Sequence, residues 1–243
     1  GESDEEDDKI TCLVGRDRWT VMTCARVVKG EGFTDEWIVE EIHKDLESLG
    51  YPAICIRADN EPAINALLGR VKDLRDHRGS GATHVEDAVE GQPQTNGVAE
   101  KGAQDVTTQC RKYKIALETR LGKSIPARSV IFKWIVRHAA DTICRSTVGH
   151  AGKVPLQRLT NKTPKQIDVE FGEQIWAKVP QYKNYRRRAL QERSVAGTWL
   201  GIRRKTGEKI VAIEPGNVVR VRTIARRLEP ERWSPNIIVH LQS

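Results

Sequence analysis

The chain has 243 residues, with 40 Lys/Arg against 33 Asp/Glu and a formal net charge of +7 at pH 7. That length can bury a core without disulfide or metal staples, in one large domain or two small ones. No apolar run approaches bilayer length and no secretory pattern opens the sequence, so neither a membrane span nor secretion is expected. Cys12, Cys24, Cys55, Cys110 and Cys144 are odd in number and form no CxxC pair, which points to buried thiols in a reducing compartment. The charge is uneven: Gln174–Ser243 has 15 Lys/Arg and 5 Asp/Glu, while the rest has 25 and 28. A near-neutral front with a basic back suggests two units, the second facing a polyanion, with a solvated basic surface as the alternative.

Residues 1–8 hold six acids and read as an exposed start. Lys9–Val14 and Trp19–Val28 are β-rich, with Gly15–Arg18 as the expected hairpin connection. Thr34 can cap a helix whose stripe is Trp37, Ile38, Ile42, Leu46 and Leu49, and Gly50 should stop it. Ala53–Ala58 is a short apolar strand ending at Asp59, and Ala63–Leu74 reads as a second helix. The order β-β-α-β-α predicts a mixed sheet with helices packed on it.

Asp76–Gln94 is polar and lacks periodicity, so it reads as a long loop. The next helix should be long, with Ala99, Ala103, Val106, Cys110, Tyr113, Leu117 and Leu121 as its apolar stripe. Another helix is expected over Ser129–Arg145, with His138 as a packed residue. Short helical starts are predicted at Pro155–Leu159 and Thr163-Pro164. After Phe171, short β runs at 174–179, 197–202, 209–213 and 218–224 suggest a small barrel. Gly122-Lys123-Ser124 is no phosphate loop, because Leu117 stands where that motif needs glycine. Trp134, Trp176 and Trp199 read as core rather than base-stacking residues.

Two acids stand out by position. Asp59 ends a strand, where ligands gather at a sheet's carboxyl edge. Glu100 follows the Gly/Pro/Asn turn Gly91–Gly97 and opens the long helix. Such carboxylates suit Mg²⁺, which prefers hard oxygen ligands. On the residues alone the plainer reading of Asp59 is a helix cap, and that of Glu100 a surface acid favoured by the helix dipole.

Arg57-Ala58-Asp59-Asn60-Glu61-Pro62-Ala63-Ile64 and Gln92-Pro93-Gln94-Thr95-Asn96-Gly97-Val98-Ala99-Glu100 resemble the second and third acidic blocks of retroviral-type integrases. Gly152–Leu159, Phe171-Gly172-Glu173 and Gly197-Thr198-Trp199-Leu200-Gly201 resemble the tail of the copia-type retrotransposon enzymes, within a Pol polyprotein. The resemblance implies an α/β fold: an RNase H-like integrase core over 1–148, a helical connector over 149–173, a small basic SH3-like β-barrel over 174–233 and a tail over 234–243. It implies DNA integration through 3′-end processing and strand transfer. Asp59 and Glu100 would bind Mg²⁺ or Mn²⁺ as the second and third acids of a DDE site, with Asn60, Asn96 and Gly97 shaping it.

The implied partners are element-end and target DNA and further copies of the chain, with no membrane and no small-molecule cofactor. Synthesis would be cytoplasmic and action nuclear. Lys101, Arg111, Lys112 and Lys114, with Arg186, Arg187, Arg188, Arg203, Arg204 and Lys205, are the candidate phosphate contacts, with a solvated surface as the alternative. The family's first acid lies on a strand expected before Gly1, since Asp7 and Asp8 would fall in the hairpin loop. A non-catalytic DNA-binding relic and a stand-alone RNase H-like nuclease are the alternatives.

Overall fold

The computed structural model describes residues 10–28, 35–87, 97–149, 152–178, 194–214 and 216–234. The acidic start, the Thr34 cap, the Gly91–Asn96 turn and the Arg186–Arg188 run lie outside them. The described chain is mixed α/β, and its residues form two compact units. Compactness divides the chain between Thr107 and Thr108 and between Thr142 and Ile143, both inside helices, and again between Thr163 and Pro164. No helix among the described residues is long and apolar enough to cross a membrane.

The first unit takes in Ile10–Thr107 and Ile143–Thr163. Strands β1 (Thr11–Arg16) and β2 (Thr23–Val28) pair antiparallel. Their connection, Asp17–Met22, lies later than the predicted one: Gly15 and Arg16 remain in the ladder, paired with Cys24 and Thr23. Helix α1 (Glu36–Leu49) stops at Gly50 as expected. Its buried face is offset from the predicted stripe, however. Ile38, Val39 and His43 are buried while Trp37 is 56% exposed. Val28, Ile38, Val39, Leu67 and Val71 form this unit's core, with Leu13, Ile42, Leu46 and Leu74 packed against it.

Strand β3 (Ala53–Ala58) is followed by α2 (Pro62–His77), whose Pro62 sits at a helix start where its missing N–H costs nothing. The polar stretch that follows is not all loop: Ala82–Asp87 forms β4, parallel to β3. Its own residues announce a strand only weakly, through Thr83 and Val85. A buried side chain explains it. Arg75 of α2, fully buried, donates to Thr83 Oγ1 at 2.8 Å and to the Ser80 carbonyl at 2.7 Å, and is paired with Glu47 of α1. These bonds hold the segment beside β3. Where a single mixed sheet is expected for this unit, the described residues form two separate two-stranded sheets, β1–β2 and β3–β4. Helices α3 (Gly97–Leu121) and α4 (Val130–Ser146) each contribute to both units, and α5 (Pro155–Thr160) closes this one. Thr163-Pro164 starts no helix.

The second unit combines Thr108–Thr142 with the described residues after Pro164. Strands β5 (Gln174–Ala177), β6 (Val195–Ile202), β7 (Lys209–Ile213), β8 (Asn217–Val221) and β9 (Ile224–Arg226) form one antiparallel sheet in the order β8-β7-β6-β5-β9. The last predicted β run is therefore two strands. The Phe171-Gly172-Glu173 block locks the sheet to the helices. His138 lies between Tyr113 (4.8 Å between ring centres), Phe171 (5.0 Å) and Trp199 (5.2 Å, edge-on). A Cβ at Gly172 would stand 2.6 Å from Leu117, and its φ of 85° suits glycine. Glu173, fully buried, accepts from Arg226 at 2.7 and 2.9 Å and from the Glu170 amide at 3.0 Å. Of the tryptophans read as core, Trp199 is buried and Trp134 half-buried. Trp176 is exposed, with the Arg227 guanidinium 4.3 Å from its ring.

Gly81 permits the β3–β4 pairing: its φ is 97°, and a Cβ there would collide with the Pro52 carbonyl, which accepts from the Ala82 amide. Gly81→Ala is expected to cost more than about 2 kcal/mol in urea unfolding. Gly69→Ala, in a helical position with nothing within 4 Å of the added Cβ, is expected to stabilise by roughly 0.5–1 kcal/mol in the same measurement.

Candidate functional site

Register fixes where the two singled-out acids arise. Ala58 pairs with Asp87, so parallel strands β3 and β4 finish at one edge of their sheet. Asp59 follows β3 directly at that edge and is exposed. The N-cap position of α2 is Glu61, not Asp59, and the Asp59 carbonyl accepts from the Glu61 amide at 2.7 Å. Asn60 is exposed, and its Oδ1 accepts from Asn65 Nδ2 at 2.9 Å, fastening the β3–α2 turn. The next described element after β4 is α3, with Gly97 as its first residue and Glu100 exposed in its first turn. Asn96 lies outside the described residues.

The start of α3 is anchored on β1. Gly102 is buried, and a Cβ there would meet the Arg16 side chain at 3.3 Å and Val14 at 3.7 Å, so the helix lies close to the strand. Arg16, almost wholly buried, reaches Asp105 at 2.9 Å, and Lys101 reaches the other oxygen at 3.0 Å. Burial works against charge on Asp105, but hydrogen bonds from Lys101 and Arg16 outweigh it and hold the carboxyl below its usual range. This clamp lies one helical turn beyond Glu100 and fixes the turn that carries it. The sequence reading missed it. The available signals were Lys101 and Asp105 at i,i+4 spacing and a glycine inside a helical stripe. The stripe holds from Val106 onward, with Val106, Cys110, Leu117 and Leu121 buried and Tyr113 half-buried, whereas Ala99 and Ala103 are exposed.

The donors at the acid edge are carboxylate oxygens, the type that suits a hard divalent cation retaining several waters. Among the described residues, no group of three or more His, Cys, Asp or Glu is arranged to hold a metal ion.

The candidate phosphate contacts fall into two sets. Arg111, Lys112 and Lys205 are exposed, and Lys101 is exposed but shares Asp105. Lys114 pairs with Glu118 at 2.8 Å, and Glu118 also accepts from the Ile125 amide at 2.7 Å. The Lys114 bond is the main reason that the Glu118 carboxyl titrates below its usual range. Arg204 donates to the buried Asp141 at 2.8 Å, and Arg203 is half-buried in the turn after β6. Arg186, Arg187 and Arg188 lie outside the described residues.

No protein-family model matches the chain, and no curated protein does. Among solved structures it is similar to the catalytic core domain of BIV integrase, at 17% identity and a TM-score of 0.44, over 63% of this chain and 88% of that one. It is also similar to a simian T-cell lymphotropic virus intasome in complex with the PP2A regulatory subunit B56 gamma. There identity is 17% and the TM-score 0.45, over 91% of this chain and 77% of that one.

The clamp beneath Glu100 has a pH signature. A carboxyl with a lowered folded pKa adds stability above its unfolded pKa, near 3.9, and loses it as pH falls through the folded value. Arg16→Met should therefore destabilise the chain most above about pH 5, with the gap from the parent closing as pH falls through the lowered folded value. Urea midpoints measured across that range check this; a gap independent of pH would assign Arg16 a packing role only.

Proposed function

We propose that this chain is an integrase-type polynucleotidyl transferase of a copia-type retrotransposon, acting on DNA through Asp59 and Glu100. The observation that carries the reading is positional. The two acids of the quoted sequence blocks fall just past the carboxyl end of β3 and in the first turn of α3, within one compact unit. In the reaction, water attacks a phosphodiester near the element's DNA end and frees a 3′-hydroxyl. That hydroxyl then attacks a target phosphodiester in line and displaces the target's own 3′ oxygen.

Asp59 and Glu100 would hold Mg²⁺ or Mn²⁺, which supplies charge that activates the nucleophile and stabilises the departing oxygen. Asn60 and Gly97 shape the backbone beside them. The clamp of Arg16 and Lys101 on Asp105 orients Glu100, and the exposed Arg111 and Lys112 offer phosphate contacts. In the second unit, a meander whose last strand returns beside its first supports a small SH3-like barrel, with Lys205 as a further DNA contact. This reading places the protein at work in the nucleus, as a multimer on element ends and target DNA.

Strand transfer by the full-length natural protein with Mg²⁺ or Mn²⁺ tests the assignment. Asp59→Asn and Glu100→Gln should each reduce joining by more than the roughly hundredfold typical of outer-shell changes at metal sites, with DNA binding retained. Parent-level joining by both variants would sink it. A parent that binds DNA without cutting or joining would establish the relic reading, and one that hydrolyses without joining would establish the nuclease.

A further inference from the structure

Trp19 is 76% exposed, on the turn between β1 and β2. A mobile loop could carry such a residue at random, but this turn is fixed from several sides. The Asp17 carboxylate accepts from the Thr20 amide at 2.7 Å, from the Thr20 hydroxyl, and from the Tyr51 hydroxyl at 3.0 Å. The Asp17 amide donates to the Met22 carbonyl at 2.8 Å, and the Asp17 carbonyl accepts from Val21 at 2.9 Å. Thr20 and Met22 are buried on either side of Val21, whose φ of 65° is rare for a β-branched residue. Backbone held in such a region persists only where its surroundings over-determine it, and it gathers at ligand-holding sites.

The turn carries both signs of charge. Arg18 is exposed beside Trp19, next to the Asp17 carboxylate, and the half-buried Arg158 of α5 acts weakly on the Tyr51 hydroxyl. Tyr51 precedes β3, so the turn stands at the amino end of that strand, whereas Asp59 follows its carboxyl end. Six extended residues at roughly 3.3 Å each separate the two. This surface is therefore distinct from the candidate acid edge.

We propose that Trp19 is a stacking platform for an unpaired base of single-stranded nucleic acid, with Arg18 receiving an adjoining phosphate. The turn's backbone is already fixed, so binding orders little beyond the Trp19 side chain. A stacked base needs the flat aromatic surface and tolerates any sequence, while the guanidinium group supplies the salt-dependent part of affinity. A base paired within a duplex has both faces occupied and cannot use the platform. The proposal does not depend on Asp59 or Glu100 as metal ligands, and its test reads binding rather than strand transfer.

The experiment titrates the full chain against fluorescein-labelled oligothymidylate and against a duplex of equal length, by anisotropy at two salt concentrations. Trp19→Ala should weaken single-strand binding about tenfold at unchanged salt dependence, and Trp19→Phe should recover part of the loss. Arg18→Ala should lower the salt slope by about 0.7, the single-strand value for one lost phosphate contact. Duplex binding should not change with Trp19→Ala. Irradiation of a 5-iodouracil-substituted strand should yield an adduct that mass spectrometry places on Trp19. Parent-level single-strand affinity of Trp19→Ala together with no adduct at Trp19 overturns the proposal. So does an equal loss on duplex, or a Trp19→Ala effect confined to self-association in sedimentation, which would make this a protein interface. Because Trp19 is exposed, its removal leaves the fold intact, and thermal melting of each variant confirms that.

Discussion

A charge carried into a protein interior must find enough partners there to replace water, and each unit of this chain is built around one such group. In the first it is Arg75, whose guanidinium fork bonds Thr83, the Ser80 carbonyl and Glu47, and so joins α2, β4 and α1. In the second it is Glu173, which gathers Arg226 and the Glu170 amide and has Arg232 at 3.5 Å. Removing one partner of such a group strands the other, at a cost of roughly 3–5 kcal/mol. The candidate site depends on this indirectly. Without Arg75 the sequence of β4 favours a strand only weakly, through Thr83 and Val85, and without β4 beside it β3 would lose its one hydrogen-bonded neighbour among the described residues.

That dependence explains what could be read from the sequence. The segment before Asp59 is apolar and short, so its strand and the acid at its end were legible from composition. The long helix after the turn was legible from periodicity, which also located Glu100. Strand β4 was not, because Thr83, His84, Glu86 and Asp87 carry no apolar alternation, and its pairing comes from a side chain on another element. Nor was the exposure of Trp37: the stripe around it fits two helical faces offset by one residue, and only packing against α2 selects Val39 and His43 over Trp37. Within the resembling blocks, the acids carry chemical meaning in the sequence itself. The anchoring of Gly102 and Arg16 beneath them is tertiary, and a single residue type does not announce it.

The Phe171-Gly172-Glu173 block shows how a motif acquires a physical meaning. Its aromatic ring packs on His138, its glycine admits Leu117, and its carboxylate is the buried centre of the sheet's anchoring. Each position answers to a different force: dispersion, steric exclusion and charge satisfaction. The unit therefore takes in the later part of α3 and the earlier part of α4, which a boundary drawn from composition would assign elsewhere. Composition registers where the strands begin, not which helices they close upon.

Charge counting overstates a nucleic-acid surface for a related reason. A basic side chain can serve a phosphate only if leaving its present partner costs less than the new contact returns. Lys114 and Glu118 form an i,i+4 pair worth a few tenths of a kcal/mol, so a phosphate could draw Lys114 away, although Glu118 would keep its bond from Ile125. Arg204 is held by Asp141, a buried acid, and its departure would weaken the compensation of a charge far from water. The basic surplus after Gln174 is accordingly smaller in effect than in number. Arg226 is spent on Glu173 and Arg227 on the face of Trp176, while Arg220, Arg222 and Lys205 remain exposed. Among the described residues after Gln174, phosphate affinity should follow those exposed cations rather than the net charge, beside Arg111 and Lys112 on α3 in the same unit.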